Sequence, residues 1–238
     1  PDSSLGDYVW YDNNNDGIQT AGESPVPGVT VQLLDSGGVN RALDERGNPI
    51  PDQVTDANGL YLFEHLRPGS YRVRFLPSTL PAGYTFARTG QGTAATGSDP
   101  NRFTGRTGTI TLGVNQDDMR WDAGIVTAAA LGNFVWEDVN ANGIQDVGEP
   151  VMAGVTVRLL NGSGSAIDNP NTDAIGDAYT DVTDSNGYYS FTGLPPNETY
   201  QVQFVLPSGF IWTRGNQGAD DTIDSDGAVS TVAANTIT

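Results

Sequence analysis

Three short blocks of sequence occur twice in this chain, in the same order, and this duplication limits the folds that the chain can adopt. The blocks are L-G-[DN]-[YF]-V-W at 5–10 and 131–136, G-V-T-V-x-L-L at 28–34 and 154–160, and T-D-x-N-G-x-Y-x-F at 55–63 and 183–191. Each copy is long enough to form a core of its own. The 238 residues therefore predict two tandem domains, at 1–126 and 131–238, joined by a short apolar linker at 127–130.

Apolar and polar residues alternate within the blocks, which is the pattern of half-buried strands. Val29, Val31 and Leu33 are expected to face one side of a sheet, and Thr30 and Gln32 the other. Gly, Pro, Asn and Asp separate about seven such segments in each copy, and no amphipathic helix is evident. This pattern predicts an all-β chain of two antiparallel β-sandwiches of the Ig-like type.

The two copies end differently. The first copy closes with a predicted strand that includes Trp121, whereas the second reaches Thr238 with no counterpart of that strand. We therefore expect the second sandwich to lack its last strand and to have an open edge. Either the chain continues in a longer protein, or a neighbouring subunit donates the strand.

A twelve-residue segment in each copy, 12–23 and 138–149, follows the pattern D-x-[DN]-x-[DN]-G-x5-E. This spacing is typical of the EF-hand calcium loop, in which oxygen atoms at fixed positions bind the ion and a glycine permits the turn. The predicted Ca²⁺ ligands are Asp12, Asn14, Asp16, Ile18, Thr20 and Glu23 in loop 1 and Asp138, Asn140, Asn142, Ile144, Asp146 and Glu149 in loop 2, with Ile18 and Ile144 acting through their carbonyls. Loop 1 has the higher ligand charge, so it is expected to bind at least as tightly unless Asp146 is a direct ligand.

The composition excludes several other functions. The formal net charge is −18, which disfavours binding to nucleic acid. The absence of cysteine excludes disulfides and thiolate zinc sites, and every basic residue is arginine, so no lysine is available for an isopeptide crosslink. No apolar run is long enough for a membrane span. The single histidine, His65, has no catalytic partner in any motif, so we predict no enzymatic activity.

The three blocks and the loop together resemble the SdrD B-like domain of serine-aspartate-repeat adhesins from Gram-positive bacteria. The resemblance implies a calcium-binding β-sandwich that serves as a stiff stalk segment at the cell surface. Related collagen-adhesin B-type modules use lysine isopeptide bonds, which this chain cannot form, so calcium would be its brace. The family also implies additional, weaker calcium sites, for which the candidates are Asp99, Asp117, Asp118, Asp220, Asp221, Asp224 and Asp226.

The predicted function is therefore that of a calcium-stabilised spacer in an extracellular or cell-surface protein, with calcium ions and neighbouring repeats or subunits as partners. One alternative is a subunit of an extracellular filament, assembled by strand donation into the open edge of domain 2. Concentration-dependent polymerisation would favour that alternative. Another is an adhesive module that binds a glycan or a protein, which a positive glycan array or pull-down would favour.

Overall fold

The structure, a computed structural model, describes residues 3–170, 172, 176–220, 222–226 and 236–237. The chain divides into two compact units. Unit 1 consists of Pro1–Ala129 with Pro170–Ile175 and Gly193–Pro196, and unit 2 of Ala130–Asn169, Gly176–Thr192 and Asn197–Thr238. Strands account for nearly all the regular structure, and the described residues contain no α-helix, as the sequence predicts.

In the part of unit 1 that the structure describes there are nine strands and one short 3-10 helix, Pro77–Thr79. The strands are β1 (Ser3–Tyr11), β2 (Thr30–Asp35), β3 (Gln53–Val54), β4 (Leu60–Leu66), β5 (Gly69–Phe75), β6 (Tyr84–Phe86), β7 (Ile110–Leu112), β8 (Asp117–Met119) and β9 (Ala123–Thr127). One sheet has the order β4-β1-β9-β6, with β8 also paired to β1, and the other has the order β3-β2-β5-β7.

The core of unit 1 lies between these two sheets. Leu5 and Val9 of β1 and Phe63 of β4 belong to the same buried cluster as Leu33 of β2 and Phe75 of β5. Strand β4 shows the predicted alternation clearly, because its burial switches from one residue to the next along most of its length. Burying one large apolar side chain contributes roughly 1.5–3 kcal/mol, so this cluster is a main source of the stability of unit 1.

Strand β1 departs from a purely antiparallel arrangement. It pairs antiparallel with β4 but parallel with both β8 and β9. Parallel neighbours require a long connection, and here that connection is most of the unit, since β1 opens it and β9 closes it. The neighbouring strands of the other sheet are all paired antiparallel.

The outer face of the second sheet is more buried than simple alternation predicts. Gln32, expected on the side opposite Val31 and Leu33, is 8% exposed, and Arg74, its partner on β5, is 3% exposed. The Gln32 amide donates a hydrogen bond to Asp52 at 3.4 Å, and Arg74 Nε donates to the Thr104 carbonyl at 3.4 Å. Long connecting segments therefore cover this face, and their polar groups pair with the side chains beneath them.

Unit 2 repeats the second sheet of unit 1 but only part of the first. Its strands are β10 (Ala129–Phe134), β11 (Thr156–Asn161), β12 (Thr180–Val182), β13 (Tyr188–Leu194), β14 (Tyr200–Val205) and β15 (Thr236–Ile237). They form a β12-β11-β14-β15 sheet and a β10-β13 pair. Its buried core includes Val157, Leu159 and Phe191. Within the described part of this unit, no strand takes the place of β8 or β9.

Candidate metal centres

Loop 1 begins where β1 ends, and its first and last carboxylates are tied to the backbone between them. Asp12 is 3% exposed, and its carboxylate accepts hydrogen bonds from the Gly17 amide at 2.8 Å and the Asp16 amide at 3.2 Å. Glu23 accepts from the Asn13 amide at 3.1 Å and the Thr20 amide at 2.8 Å. The two ends of the loop therefore close around its centre.

The middle of loop 1 forms a tight turn. The Asp16 carboxylate accepts from the Ile18 amide and from the Asn14 side-chain amide, both at 2.8 Å, while Asn14 Oδ1 accepts from the Asp16 amide at 3.1 Å. Gly17 has a φ of 74°. A Cβ at this position would lie 2.5 Å from the carbonyl oxygen of Arg88, so the turn requires glycine for both its conformation and its close packing.

Loop 2 has the same construction. Asp138 accepts from the Gly143 amide at 2.7 Å and the Asn142 amide at 3.2 Å, and Glu149 accepts from the Val139 amide at 2.9 Å and the Asp146 amide at 3.0 Å. The side-chain amides of Asn140 and Asn142 both donate to Asp146, at 2.7 and 2.8 Å.

A hydroxyl distinguishes loop 2 from loop 1. Thr213 donates a hydrogen bond to the Asp138 carboxylate. Burial raises the pKa of Asp138, but the hydrogen bonds from Thr213 and from the backbone of the loop outweigh it, so the net pKa is below its ordinary value. The position corresponding to Thr213 in unit 1 is Ala87, which cannot make this bond.

Both loops are fixed to a second segment of their own unit by equivalent backbone hydrogen bonds. In unit 1, Gln19 donates to Thr96 at 2.7 Å and Ser98 donates to Gly17 at 3.0 Å. In unit 2, the same two bonds join Gln145 to Ile223 at 2.6 Å and Ser225 to Gly143 at 3.0 Å. Each loop is therefore attached to a segment that is distant in sequence.

The donor chemistry of the loops fits a hard cation, since the side chains provide only carboxylate, amide and hydroxyl oxygens. The arrangement of these side chains, however, is not that of a metal centre. Among the described residues, no group of three or more His, Cys, Asp or Glu side chains is gathered so as to hold a metal ion. The loop carboxylates accept backbone and side-chain N–H groups instead. The loop ligands thus stay predictions, which the residue types and the glycine turn support.

A second group of carboxylates in unit 1 includes one that is completely buried. It consists of Asp7 on β1, Asp99 and Asp122, and we call it the carboxyl cluster. Asp122 has no exposed surface, and neither of its carboxylate oxygens has a hydrogen-bond partner. Its backbone amide donates to Asp99 Oδ2 at 2.8 Å, and the Asp99 amide donates to the Asp122 carbonyl at 2.9 Å.

Burial dominates the ionisation of the carboxyl cluster. It raises the pKa of Asp122 to about 9, with the charges of Asp7 and Asp99 adding to the effect. Burial also raises the pKa of Asp99 to about 6 and that of Asp7 above its ordinary value. An uncompensated buried carboxylate is costly, so this cluster holds protons or needs a cation. Sequence reasoning included Asp99 but missed Asp7 and Asp122, although Asp7 lies inside the first repeated block.

The other acidic candidates are not brought together into one site. Asp118 is held by Arg120 through two bonds of 2.6 and 2.8 Å, and these lower its pKa. Asp117 accepts from the Ser4 hydroxyl at 2.5 Å. Asp220 accepts from the amide and hydroxyl of Thr222, at 3.0 and 2.6 Å.

Among the remaining candidates of unit 2, Asp224 lies beside loop 2. Asp224 forms a β-bridge with Ile144, is 8% exposed and has one unpartnered oxygen, Oδ1. Asp226 adds to the effect of burial in raising the pKa of Tyr189 to about 12. Asp99 has the same kind of effect on Tyr61 in unit 1. Asp221 lies outside the described residues.

Comparison with known proteins decides the family. The model of the SdrD B-like domain matches residues 3–125 and 129–238. The chain belongs to the SdrD B-like domain family. Over 235 residues it is 40% identical to serine-aspartate repeat-containing protein D of Staphylococcus aureus strain Newman, a match that covers 97% of this chain and 16% of that protein. Serine-aspartate repeat-containing protein F of Staphylococcus epidermidis is 39% identical over 237 residues, a match that covers 98% of this chain and 12% of that protein.

Solved structures give weaker matches. The minor pilin GBS52 of Streptococcus agalactiae has a TM-score of 0.34 at 15% identity, and the match covers 100% of this chain and 90% of that one. A streptococcal ancillary pilin has a TM-score of 0.36 at 14% identity, with 93% and 61% covered.

Family membership confirms the predicted class of this SdrD B-like chain. It is an all-β structural repeat of an extracellular or cell-surface protein and not an enzyme. The chain spans less than one fifth of the length of the staphylococcal relatives. In the described residues, no helix has the length and apolar character that crossing a membrane requires.

Proposed function

We propose that both units are spacer modules whose rigidity is set by Ca²⁺ bound in the twelve-residue loops. The observation that carries this proposal is the duplicated loop, with oxygen donors at the same positions, the same positive-φ glycine and the same backbone attachment in each unit. Asp12, Asn14, Asp16 and Glu23 would hold the ion in loop 1, with the Ile18 carbonyl. Asp138, Asn140, Asn142 and Glu149 would do so in loop 2, with the Ile144 carbonyl.

Bound calcium would supply positive charge where the chain concentrates negative charge. The N–H groups that now pair with these carboxylates hold the backbone of each loop in a closed ring. Loop 1 is attached at one end to β1 and through Gln19 and Ser98 to the 96–98 segment. Fixing the loop therefore fixes segments that are distant in sequence. A ligand present at 100 times its dissociation constant stabilises the folded state by about 2.7 kcal/mol.

The carboxyl cluster of unit 1 is a further place where a cation would offset buried negative charge, although its three carboxyl groups are not gathered as a metal centre requires. Asp122 is fully buried, and the carboxyl groups of Asp7 and Asp99 add to the effect of burial in raising its pKa. In unit 2 the residue corresponding to Asp7 is Asn133, so the charge available there is lower. We therefore expect unit 1 to bind more calcium than unit 2.

Calorimetric titration of the full chain tests the proposal. We expect calcium uptake in the wild-type protein, loss of one site in Asp12→Ala, loss of a different site in Asp138→Ala, and loss of both in the double variant. Binding that persists in the double variant and disappears after Asp122→Asn would locate the additional site in the carboxyl cluster. A wild-type chain that takes up no calcium at millimolar concentration would refute the function.

A further inference from the structure

The chain contains asparagines that are followed directly by glycine, at Asn58, Asn142, Asn161 and Asn186. In such a pair the backbone nitrogen of the glycine can attack the carboxamide carbon of the asparagine, because glycine has no side chain to obstruct the approach. The product is a cyclic imide, and its hydrolysis converts the asparagine into an acid. Asn142 differs from the other three asparagines because it is a predicted ligand in loop 2.

Loop 2 holds the reacting groups of Asn142 and Gly143 in position. The carboxamide folds back over the peptide between these residues, since Asn142 Oδ1 accepts a hydrogen bond from the Ile144 amide at 2.7 Å. Asn142 Nδ2 donates to Asp146 at 2.8 Å, which holds the other end of the carboxamide. The Gly143 amide donates to Asp138 Oδ2 at 2.7 Å. The attacking nitrogen therefore already has a proton acceptor.

The glycines of the turns at 56–59 and 184–187 have a different acceptor. Each donates its amide to the backbone carbonyl of the aspartate three positions before it, at 2.9 Å. The backbone conformation is nevertheless the same, because Gly59, Gly187 and Gly143 have φ angles of 75°, 78° and 82°. The carboxylate on the glycine amide is thus what distinguishes loop 2 from these turns.

The fourth pair, at Asn161, has only one of the two features. Its carboxamide is folded back, since Asn161 Oδ1 accepts from the Ser163 amide at 3.0 Å. In the described part of the chain, however, no hydrogen bond joins the Gly162 amide to a carboxylate. Of the four pairs, all of which the structure describes, the one in loop 2 combines a folded-back carboxamide with a carboxylate on the attacking nitrogen.

We propose that Asn142 is a site of spontaneous deamidation, which the geometry of loop 2 accelerates and which adds a negative charge to the loop. The Gly143 nitrogen forms a bond to Asn142 Cγ, and its proton leaves along the hydrogen bond to Asp138. The bond between Cγ and Nδ2 breaks, and the departing nitrogen takes up a proton to leave as ammonia. Solvent water reaches this exposed residue and opens the imide. Attack at Cγ gives aspartate, and attack at the backbone carbonyl gives isoaspartate.

Loop 1 shows how the aspartate product would fit. Asp16 occupies the corresponding position there and accepts from the Ile18 amide at 2.8 Å, as Asn142 accepts from Ile144 in loop 2. The aspartate product would therefore keep the fold of loop 2 and give it the carboxylate that loop 1 has. Isoaspartate adds a carbon to the backbone and would open the closed ring of the loop. The effect of either product on calcium uptake rests on the proposed function, whereas the reaction itself does not.

Peptide mapping by mass spectrometry, on the full chain incubated in chelator, tests the proposal. In the folded protein we expect Asn142 to be converted roughly tenfold faster than Asn58, Asn161 and Asn186. This is less than the 10²–10⁴-fold that a positioned base typically contributes, because a carboxylate is a weak base for an amide proton. In denaturant all four should react at similar rates, since each is followed by glycine.

Two variants separate the role of the carboxylate from that of the fold. Asp138→Asn keeps an oxygen facing Gly143 but removes the charge, and it should slow the conversion of Asn142 to the rate of the other pairs. The matched control is Asp184→Asn, which alters a carboxylate that accepts the amide of Asn186 at 2.8 Å and not that of a glycine. This control should leave the conversion of Asn142 unchanged. Circular dichroism verifies that both variants are folded.

Any of three results would overturn the proposal. The first is a folded wild-type chain in which Asn142 reacts no faster than the other asparagines, a comparison that requires no variant. The second is a lead of Asn142 that persists in denaturant, since sequence and not structure would then cause it. The third is a folded Asp138→Asn chain in which Asn142 reacts as fast as before. Because calcium is absent throughout, failure here leaves the proposed function untouched.

Discussion

Replacing Asp12 by asparagine separates the calcium contribution of loop 1 from its internal hydrogen bonds. The amide oxygen of the substituted side chain would still accept the 2.8 Å bond from Gly17, while the longer 3.2 Å bond from Asp16 would be lost. Losing one such bond costs about 1 kcal/mol without metal. The larger effect is on the stabilisation that bound calcium gives to the folded state. Free calcium at 100 times its dissociation constant adds about 2.7 kcal/mol to the free energy of unfolding. For a domain of this size that corresponds to about 10 °C in melting temperature.

Scanning calorimetry with calcium and with chelator measures both quantities. The wild-type protein should lose about 10 °C on chelation in the transition of unit 1 through loop 1 alone. Asp12→Asn should lose only what a cation at the carboxyl cluster contributes. The matched control is Asp56→Asn, which alters a turn carboxylate that accepts amides of Asn58 and Leu60 at 2.8 and 2.9 Å. This control should keep the full response to calcium. An undiminished calcium response in Asp12→Asn would show that loop 1 is not the site.

Three further changes test other parts of the structure. Gly17→Ala should destabilise unit 1 by about 2–3 kcal/mol more than Gly22→Ala in denaturant unfolding, because both have positive φ but only Gly17 has a carbonyl within reach of the new Cβ. Thr213→Val should weaken calcium binding by loop 2 by about 1 kcal/mol in titration calorimetry and leave loop 1 unchanged, since it removes a hydrogen bond from Asp138. In chelator, unit 1 should lose stability in thermal melts as pH rises from about 4 to 9, because the folded state keeps the proton of Asp122 that the unfolded chain releases. The free energy of unfolding should fall by up to about 1.4 kcal/mol per pH unit for this one proton. A stability that does not change with pH would contradict the prediction.

The strands could be predicted because the chain alternates apolar and polar residues around turn-forming sequences. Tyr61 and Phe63 are inward and Leu60 outward on β4, as a period of two requires. The turn before β4 has the Asp and Gly that turn chemistry favours, since Gly59 donates to the carbonyl of Asp56 at 2.9 Å, but it joins strands of different sheets and is not a hairpin. Such features depend only on neighbouring residues.

The features that sequence reasoning missed depend on contacts between distant segments. Nothing near Asp122 in the sequence indicates that it is enclosed with Asp7, because that contact exists only once β9 lies beside β1. Burial of Arg74 likewise depends on a connecting segment some thirty positions away, where the Thr104 carbonyl accepts its hydrogen bond. Trp136 is only partly buried although its counterpart Trp10 has no exposed surface, and among the described residues no strand lies against Trp136 as β9 lies against Trp10.

The parallel pairing of β1 with β9 determines how unit 1 bears a pull along the polypeptide. The unit begins with β1 and ends with β9, and the two strands run side by side in the same direction. Tension applied at the two ends slides one strand along the other. The backbone pairing from Val9 to Tyr11 is then loaded in shear, and its hydrogen bonds must break together. A hairpin opened from its tip gives way one rung at a time and yields at lower force. A pull along the polypeptide therefore meets the resistance of several backbone hydrogen bonds at once in this unit.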